Sequence, residues 1–221
     1  MAPRLARLEV AAFRRDGFVL PRGSIAPTRV ARLAALAADR EASAGSCAAD
    51  VGACAGAPPP ADPVAAWARD AGLAELVAPL LGSRGRLWRY AVLFVSPHAP
   101  PWVPWRQGGE AGPRRPSGIV SVRVALDAAD PDNGCMRLLP RSHERLVREI
   151  RNAGDRRLLA LPPDGVDRAI TVAAVCQPGA LTLYDVDTFH CEPANRSGRP
   201  RAAVAFHYVP AGSRLDELTG L

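Results

Sequence analysis

Apolar residues recur at helical spacing in three stretches of the first 85 residues. Leu5, Leu8 and Ala12 predict a short helix over 4–15. Asp16-Gly17 then turns the chain into Phe18-Val19-Leu20, which reads as a strand. Pro27 is suited to a first helical turn, and Val30, Leu33, Leu36 and Ala37 carry one face of a second helix to about residue 43. Residues 44–63, rich in Ala, Gly and Ser and closing on Pro58-Pro59-Pro60, read as a flexible loop. Trp67, Leu73, Leu76 and Leu80 restore helical spacing over 64–81, and Gly82 stops it.

From residue 86 the period changes. Short β-compatible runs cover 87–95, 119–126, 135–139, 170–175, 181–184 and 202–209, separated by turn clusters such as Asp130-Pro131-Asp132-Asn133-Gly134 and Gln177-Pro178-Gly179. Helices followed by many short strands predict an α+β chain with a sandwich or barrel as its strand-rich part. At 221 residues, one domain is expected: 1–85 mainly helical, 86–210 the β core and 211–221 a tail. No repeat at solenoid period is present.

Composition narrows the function classes. Hydrophobic residues at 48% and charged residues at 23% are globular values. No apolar run approaches the roughly 20 residues of a membrane span, and the N-terminus lacks a signal-peptide core, so a soluble cytoplasmic protein is expected. The net charge of +6 is carried without a single lysine: all 28 basic residues are arginine, beside 41 alanines, a balance that reads as GC-rich coding. The arginines are scattered and aromatics make up only 5%, which argues against a nucleic-acid surface. Cys47, Cys54, Cys135, Cys176 and Cys191 are odd in number and lack a CxxC spacing, so free thiols are expected and a zinc site is not.

Several short motifs fall in a suggestive order: Phe13-Arg14-Arg15-Asp16-Gly17-Phe18-Val19-Leu20, Ala125-Leu126-Asp127, Asn133-Gly134-Cys135-Met136, Leu139-Pro140-Arg141-Ser142-His143, Pro178-Gly179-Ala180, His190, Asn195-Arg196-Ser197 and Arg201. Together, from about residue 10 to residue 210, they resemble the phytanoyl-CoA dioxygenase-like family of iron(II)/2-oxoglutarate oxygenases. The resemblance implies a double-stranded β-helix, a cupin-like jelly roll, with N-terminal helices packed on it. It also implies iron held by two histidines and a carboxylate.

The stretch matching the family's Trp-His-Gln-Asp is Trp105-Arg106-Gln107-Gly108. Arginine has no lone pair for a metal and glycine no side chain, so of the implied ligands only the distal His190 is kept. Arg201 matches the arginine that grips the far carboxylate of 2-oxoglutarate. Where the family often has His-x-Ser, this chain has His190-Cys191-Glu192. Residues two apart on a strand share a face, so Glu192 is expected beside His190, pairing with Arg201 and repelling a second carboxylate.

The sequence therefore points to a metal-independent, non-oxidative enzyme of isomerase, cyclase or lyase type, acting on a small anionic or enolisable metabolite, plausibly in natural-product biosynthesis. His190, Glu192 and Arg106 are its candidate catalytic residues. His190 would be the proton carrier, with Glu192 favouring its charged form and relaying the proton, and Arg106 would stabilise an enolate or carboxylate. Arg201, Arg123, Gln107, Trp105, His207 and Tyr184 form the candidate substrate-binding set. No cofactor is expected.

Blander readings stand beside these: His190 as a histidine satisfied by a backbone carbonyl, Arg201–Glu192 as a purely structural ion pair, Arg106 swung to solvent, Arg123 on an outer face and His207 as an ordinary barrel residue. His98 and His143 read as loop or structural residues. Two alternative functions remain open. One is an active iron(II)/2-oxoglutarate oxygenase with ligands rewired among His98, Glu110, Cys191 and Glu192. The other is a ligand-binding pseudoenzyme. The sequence leaves the oligomeric state open.

Overall fold

Among the described residues, two antiparallel sheets and four helices account for the patterns above. The computed structural model describes residues 3–44, 51–53, 58–99, 103–107, 118–145, 159–160, 166 and 168–213. The helices are α1 (Arg7–Asp16), α2 (Pro27–Ala44), α3 (Pro63–Asp70) and α4 (Leu73–Leu81). The strands are β1 (Phe18–Val19), β2 (Val51–Ala53), β3 (Gly85–Val95), β4 (Val103–Gln107), β5 (Val120–Ala125), β6 (Arg137–Leu138), β7 (Leu159–Ala160), β8 (Val172–Ala173), β9 (Leu181–Asp185), β10 (His190–Glu192) and β11 (Arg201–Pro210). The larger sheet runs β1-β9-β5-β11-β3-β2 and the smaller one β7-β4-β10-β6-β8, the jelly roll the motifs implied.

Strand alternation splits the larger sheet into an apolar outer face and a polar inner one. Val122, Val124, Leu181, Leu183, Val204, Phe206 and Tyr208 pack with Leu33, Trp67, Leu73, Leu76 and Val77 of the helices. Trp67 stacks on Phe206 with ring centroids 5.8 Å apart. Asp62 accepts a 2.9 Å bond from the Ala65 N–H, which caps α3, and a 2.8 Å bond from the buried Tyr90 hydroxyl, which ties the helices to β3. The opposite parity carries Arg89, Ser121, Arg123, Thr182, Tyr184 and His207, all buried, so both faces of β5 and β9 are covered. No helix among the described residues is long and apolar enough to cross a membrane.

The departures from expectation have local causes. The helix expected over 64–81 is two helices, because Ala71-Gly72 breaks it and Gly72 adopts φ 71°. Residues 51–53, inside the segment read as a flexible loop, pair with β3 as an edge strand, while 45–50 and 54–57 lie outside the described residues. The run at 170–175 resolves into a 3-10 turn and the two-residue β8. Strands β4, β7 and β10 fall outside the expected runs: β4 follows prolines, β10 is short and polar, and β7 is only two residues long. Cys47, Cys54 and residues 214–221 of the tail lie outside the described residues; Cys135, Cys176 and Cys191 are free thiols.

Gly17 ends α1 in the left-handed region (φ 83°), donating to the Phe13 carbonyl at 2.8 Å. A Cβ there would lie 2.5 Å from both His143 Nδ1 and Thr188 Oγ1. Gly17→Ala is expected to lose about 1–3 kcal/mol from backbone strain alone, measurable as a lower urea midpoint at unchanged slope.

Candidate functional site

The site lies between the two sheets, where β10 crosses the middle of the smaller one. Register places Arg106 of β4 directly opposite His190 on one side and Leu138 of β6 on the other. The residue standing where the family keeps its proximal histidine is thus a cross-strand neighbour of the distal one. His190 is buried, and its Nδ1 lies 2.8 Å from the Thr188 carbonyl. A carbonyl only accepts, so Nδ1 carries the proton and Nε2 the lone pair. The Tyr184 ring packs on the imidazole with centroids 5.1 Å apart.

Burial, and then the positive charge of Arg106, push the His190 pKa down to about 4, against weaker opposing pulls from the Thr188 carbonyl and Glu192. This corrects the expectation that Glu192 would hold His190 charged. His207, whose Nδ1 sits 2.8 Å from Ser121 Oγ, is driven well below its ordinary value by burial and then by Arg89 and Arg106.

Glu192 shares the inward face of β10 with His190, as its spacing predicts. Both terminal guanidinium nitrogens of Arg123, Nη1 and Nη2, donate to its carboxylate, Nη2 at 3.2 Å, and Arg201 Nη1 lies 2.7 Å from Oε2. Burial alone would raise the carboxyl pKa, but Arg123 and Arg201 outweigh it and hold the group at about 2. Glu192 therefore carries no proton near neutral pH, which corrects its expected role as a relay. Arg123, whose face the sequence left undecided, points inward and closes the clamp. Arg201 also donates through Nε to the Asn133 carbonyl at 3.1 Å, and its Nη2 is buried with no hydrogen-bond partner among the described residues.

The free space beside this clamp, lined by Arg123, Asp127, Met136, Cys176, Thr182 and Arg201, has a volume of about 10 Å³. That is the lower limit for one water molecule. A second carboxylate would have to displace Glu192. The donors at the family's metal position, one imidazole facing a guanidinium, are likewise a poor match for iron. Among the described residues no three His, Cys, Asp or Glu side chains cluster as a metal site.

The structure brings together His190, Glu192, Arg106, Arg123, Arg201, Tyr184 and His207. It does not bring Trp105 and Gln107 to them. Both have the parity opposite to Arg106: Trp105 packs with Val166, Phe189 and Cys191, and Gln107 Nε2 donates to the Ser142 and Arg145 carbonyls at 2.8 and 2.6 Å. Their expected substrate-binding role is corrected to a structural one. The same parity turns Cys191 away from the site, and Glu110 lies outside the described residues. His98 sits in a turn at φ 57° and His143 in a 3-10 turn, as loop residues. Sequence reasoning missed Ser121 and the Thr188 carbonyl. The parity that Ser121 shares with Arg123 was the signal for it.

Both depressed histidines link stability to pH. In the unfolded chain each binds a proton below about 6.5, whereas folded His190 does so only below about 4. Between those values the unfolded state binds more protons, so stability falls as the pH is lowered across that window. His190→Gln is expected to flatten this slope in urea titrations at pH 7, 5.5 and 4.5; an unchanged slope contradicts the assignment.

Comparison with known proteins gives the family and the fold. The family model described as phytanoyl-CoA dioxygenase (PhyH) matches residues 13–203. AviO1 from Streptomyces viridochromogenes Tue57 has 24% identity and a TM-score of 0.66, over 97% of this chain and 99% of that one. EctD from S. alaskensis, in a structure with 2-oxoglutarate and 5-hydroxyectoine, has 21% identity and a TM-score of 0.70, over 97% and 84%. SnoN, a non-heme α-ketoglutarate-dependent epimerase from nogalamycin biosynthesis, has 23% identity and a TM-score of 0.70, over 92% and 82%. At these identities the structural likeness establishes the fold.

Proposed function

We propose that this chain, which belongs to the phytanoyl-CoA dioxygenase family, is an enzyme of natural-product biosynthesis that moves protons on a small anionic or enolisable metabolite without iron, 2-oxoglutarate or dioxygen. The observation that carries this reading is Glu192 lying on Arg123 and Arg201, a carboxylate of the chain itself at the place where the family holds its cosubstrate. Beside it, Arg106 faces a neutral imidazole.

In this scheme His190 Nε2 is the base. The Thr188 carbonyl fixes the tautomer, and the depressed pKa keeps the lone pair available at neutral pH. Arg106 stabilises the enolate or carboxylate formed beside it, in an interior where such a charge interaction is stronger than in water. Arg123 and Arg201, with two positive charges against the single negative charge of Glu192, leave a net positive field that favours an anionic substrate. An epimerase from nogalamycin biosynthesis on the same fold supports the small-molecule, biosynthetic part of the reading.

The test is to incubate a panel of enolisable carboxylates and phenolic ketones in D2O under argon with EDTA. Deuterium uptake or a rearranged product, followed by mass spectrometry, is the result expected. Turnover that appears only on adding ferrous iron and oxygen contradicts the proposal. The carboxylate of Glu192 at the cosubstrate position also fits a second reading, a ligand-binding pseudoenzyme in which the inherited chemistry is blocked. That reading predicts saturable binding of a panel member that His190→Ala leaves intact, with no turnover by either protein.

A further inference from the structure

Three strands of the larger sheet place Tyr184, Ser121 and His207 in one row. Ser121 of β5 is in register with Tyr184 of β9 on one side and with His207 of β11 on the other. All three side chains face inward and are buried. Ser121 Oγ is 2.8 Å from His207 Nδ1, and Ser121 stands directly across from Tyr184 in the β5–β9 register. At its far end the Tyr184 ring rests on the imidazole of His190, centroids 5.1 Å apart. Buried polar groups of this kind are costly unless each is satisfied, and a serine standing between a histidine and a tyrosine on adjacent strands is placed to orient the phenol O–H.

We infer that Tyr184 is the proton donor working with His190, and that Ser121 and His207 are positioning residues that aim its hydroxyl. The inference rests on the acid–base reading above and adds its second catalytic group. His190 Nε2 takes the proton of a substrate C–H bond, and that bonding pair becomes the π bond of an enolate. The Tyr184 O–H gives its proton to the enolate oxygen and becomes a phenolate. The imidazolium then protonates a second carbon, and the enol O–H returns its proton to the phenolate. Both residues end as they began, no electrons leave the substrate, and the net change is a proton shift within one molecule. A phenol keeps its proton at neutral pH, and burial strengthens that hold on Tyr184, so the donor is protonated where the base is neutral.

The experiment uses the full chain labelled with 15N-histidine and 13C-tyrosine, as wild type and as Ser121→Ala, Ser121→Thr and Tyr184→Phe. Ser121→Ala is expected to move the His207 Nδ1 and Tyr184 Cζ signals together, and Ser121→Thr to return both. Tyr184→Phe is expected to move His207 Nδ1 through Ser121. If Tyr184→Phe leaves His207 unmoved, or Ser121→Ala moves one signal alone, the row does not exist. On whichever panel compound turns over, Tyr184→Phe is expected to lower kcat at least about 100-fold at unchanged KM, and Ser121→Thr to keep more activity than Ser121→Ala; an unchanged kcat in Tyr184→Phe removes the donor role. The NMR result decides the row even if the acid–base reading fails, and His190→Ala retaining turnover would defeat that reading while leaving the row intact.

Discussion

Glu192→Ala is expected to destabilise the protein by about 3–5 kcal/mol, the range for removing one partner of a buried ion pair. Two guanidinium groups, on Arg201 at 2% and Arg123 at 8% exposure, would lose the carboxylate they share. The loss is larger than for a surface pair because neither cation can recover its hydration by a small rotation. It also severs a link between sheets, since Glu192 belongs to the smaller sheet and both arginines to the larger. For a chain of this size the melting temperature should fall by roughly 10 °C. Glu192→Gln keeps the shape without the charge and should lose most of the same amount.

Small carboxylates such as formate should recover part of the loss in Glu192→Ala and none in wild type. The sign of the pH effect follows from the depressed pKa. Glu192 titrates near 4.5 when unfolded and at about 2 when folded. Its contribution is therefore complete above 4.5 and disappears as the pH falls through about 2. The gap between wild type and Glu192→Gln should narrow across that window. Equal melting temperatures at pH 7 would mean that the clamp does not form in solution.

The second large effect is on turnover. His190→Ala is expected to lower kcat by about 10²–10⁴-fold on a panel substrate, the usual contribution of a positioned base. KM should change little, because the imidazole acts on a proton and does not anchor the substrate. The pH profile carries independent information. An ordinary histidine base would lose activity below about 6.5. With its pKa held at about 4, His190 should keep the rate level down to about pH 5 and lose it only nearer 4. A limb near 6.5 would place the base elsewhere or leave the imidazole less buried than it is here.

Much of this arrangement was legible beforehand, for identifiable reasons. The side-chain period of a strand is two, so His190-Cys191-Glu192 had to put its histidine and glutamate on one face, and they lie there. The spacing of Val30, Leu33 and Ala37 likewise located the buried face of α2. Parity was underused for β4: Trp105, Arg106 and Gln107 were all assigned to the site, though only Arg106 shares a face with it. The protonation of His190 was misread because one neighbour was weighed alone. Glu192 is already neutralised by Arg123 and Arg201, which leaves burial and Arg106 to decide. Arg123 comes within reach of Glu192 only through the facing of two sheets, a contact between positions 69 residues apart that no local pattern encodes.

The most direct test of the whole account is an anaerobic titration of the wild-type protein with ferrous iron and 2-oxoglutarate, followed by visible absorbance and calorimetry. A carboxylate already seated on Arg201, with the Arg106 guanidinium facing His190, predicts neither a charge-transfer band nor saturable heat from 2-oxoglutarate. A band that saturates at one iron per chain would contradict it.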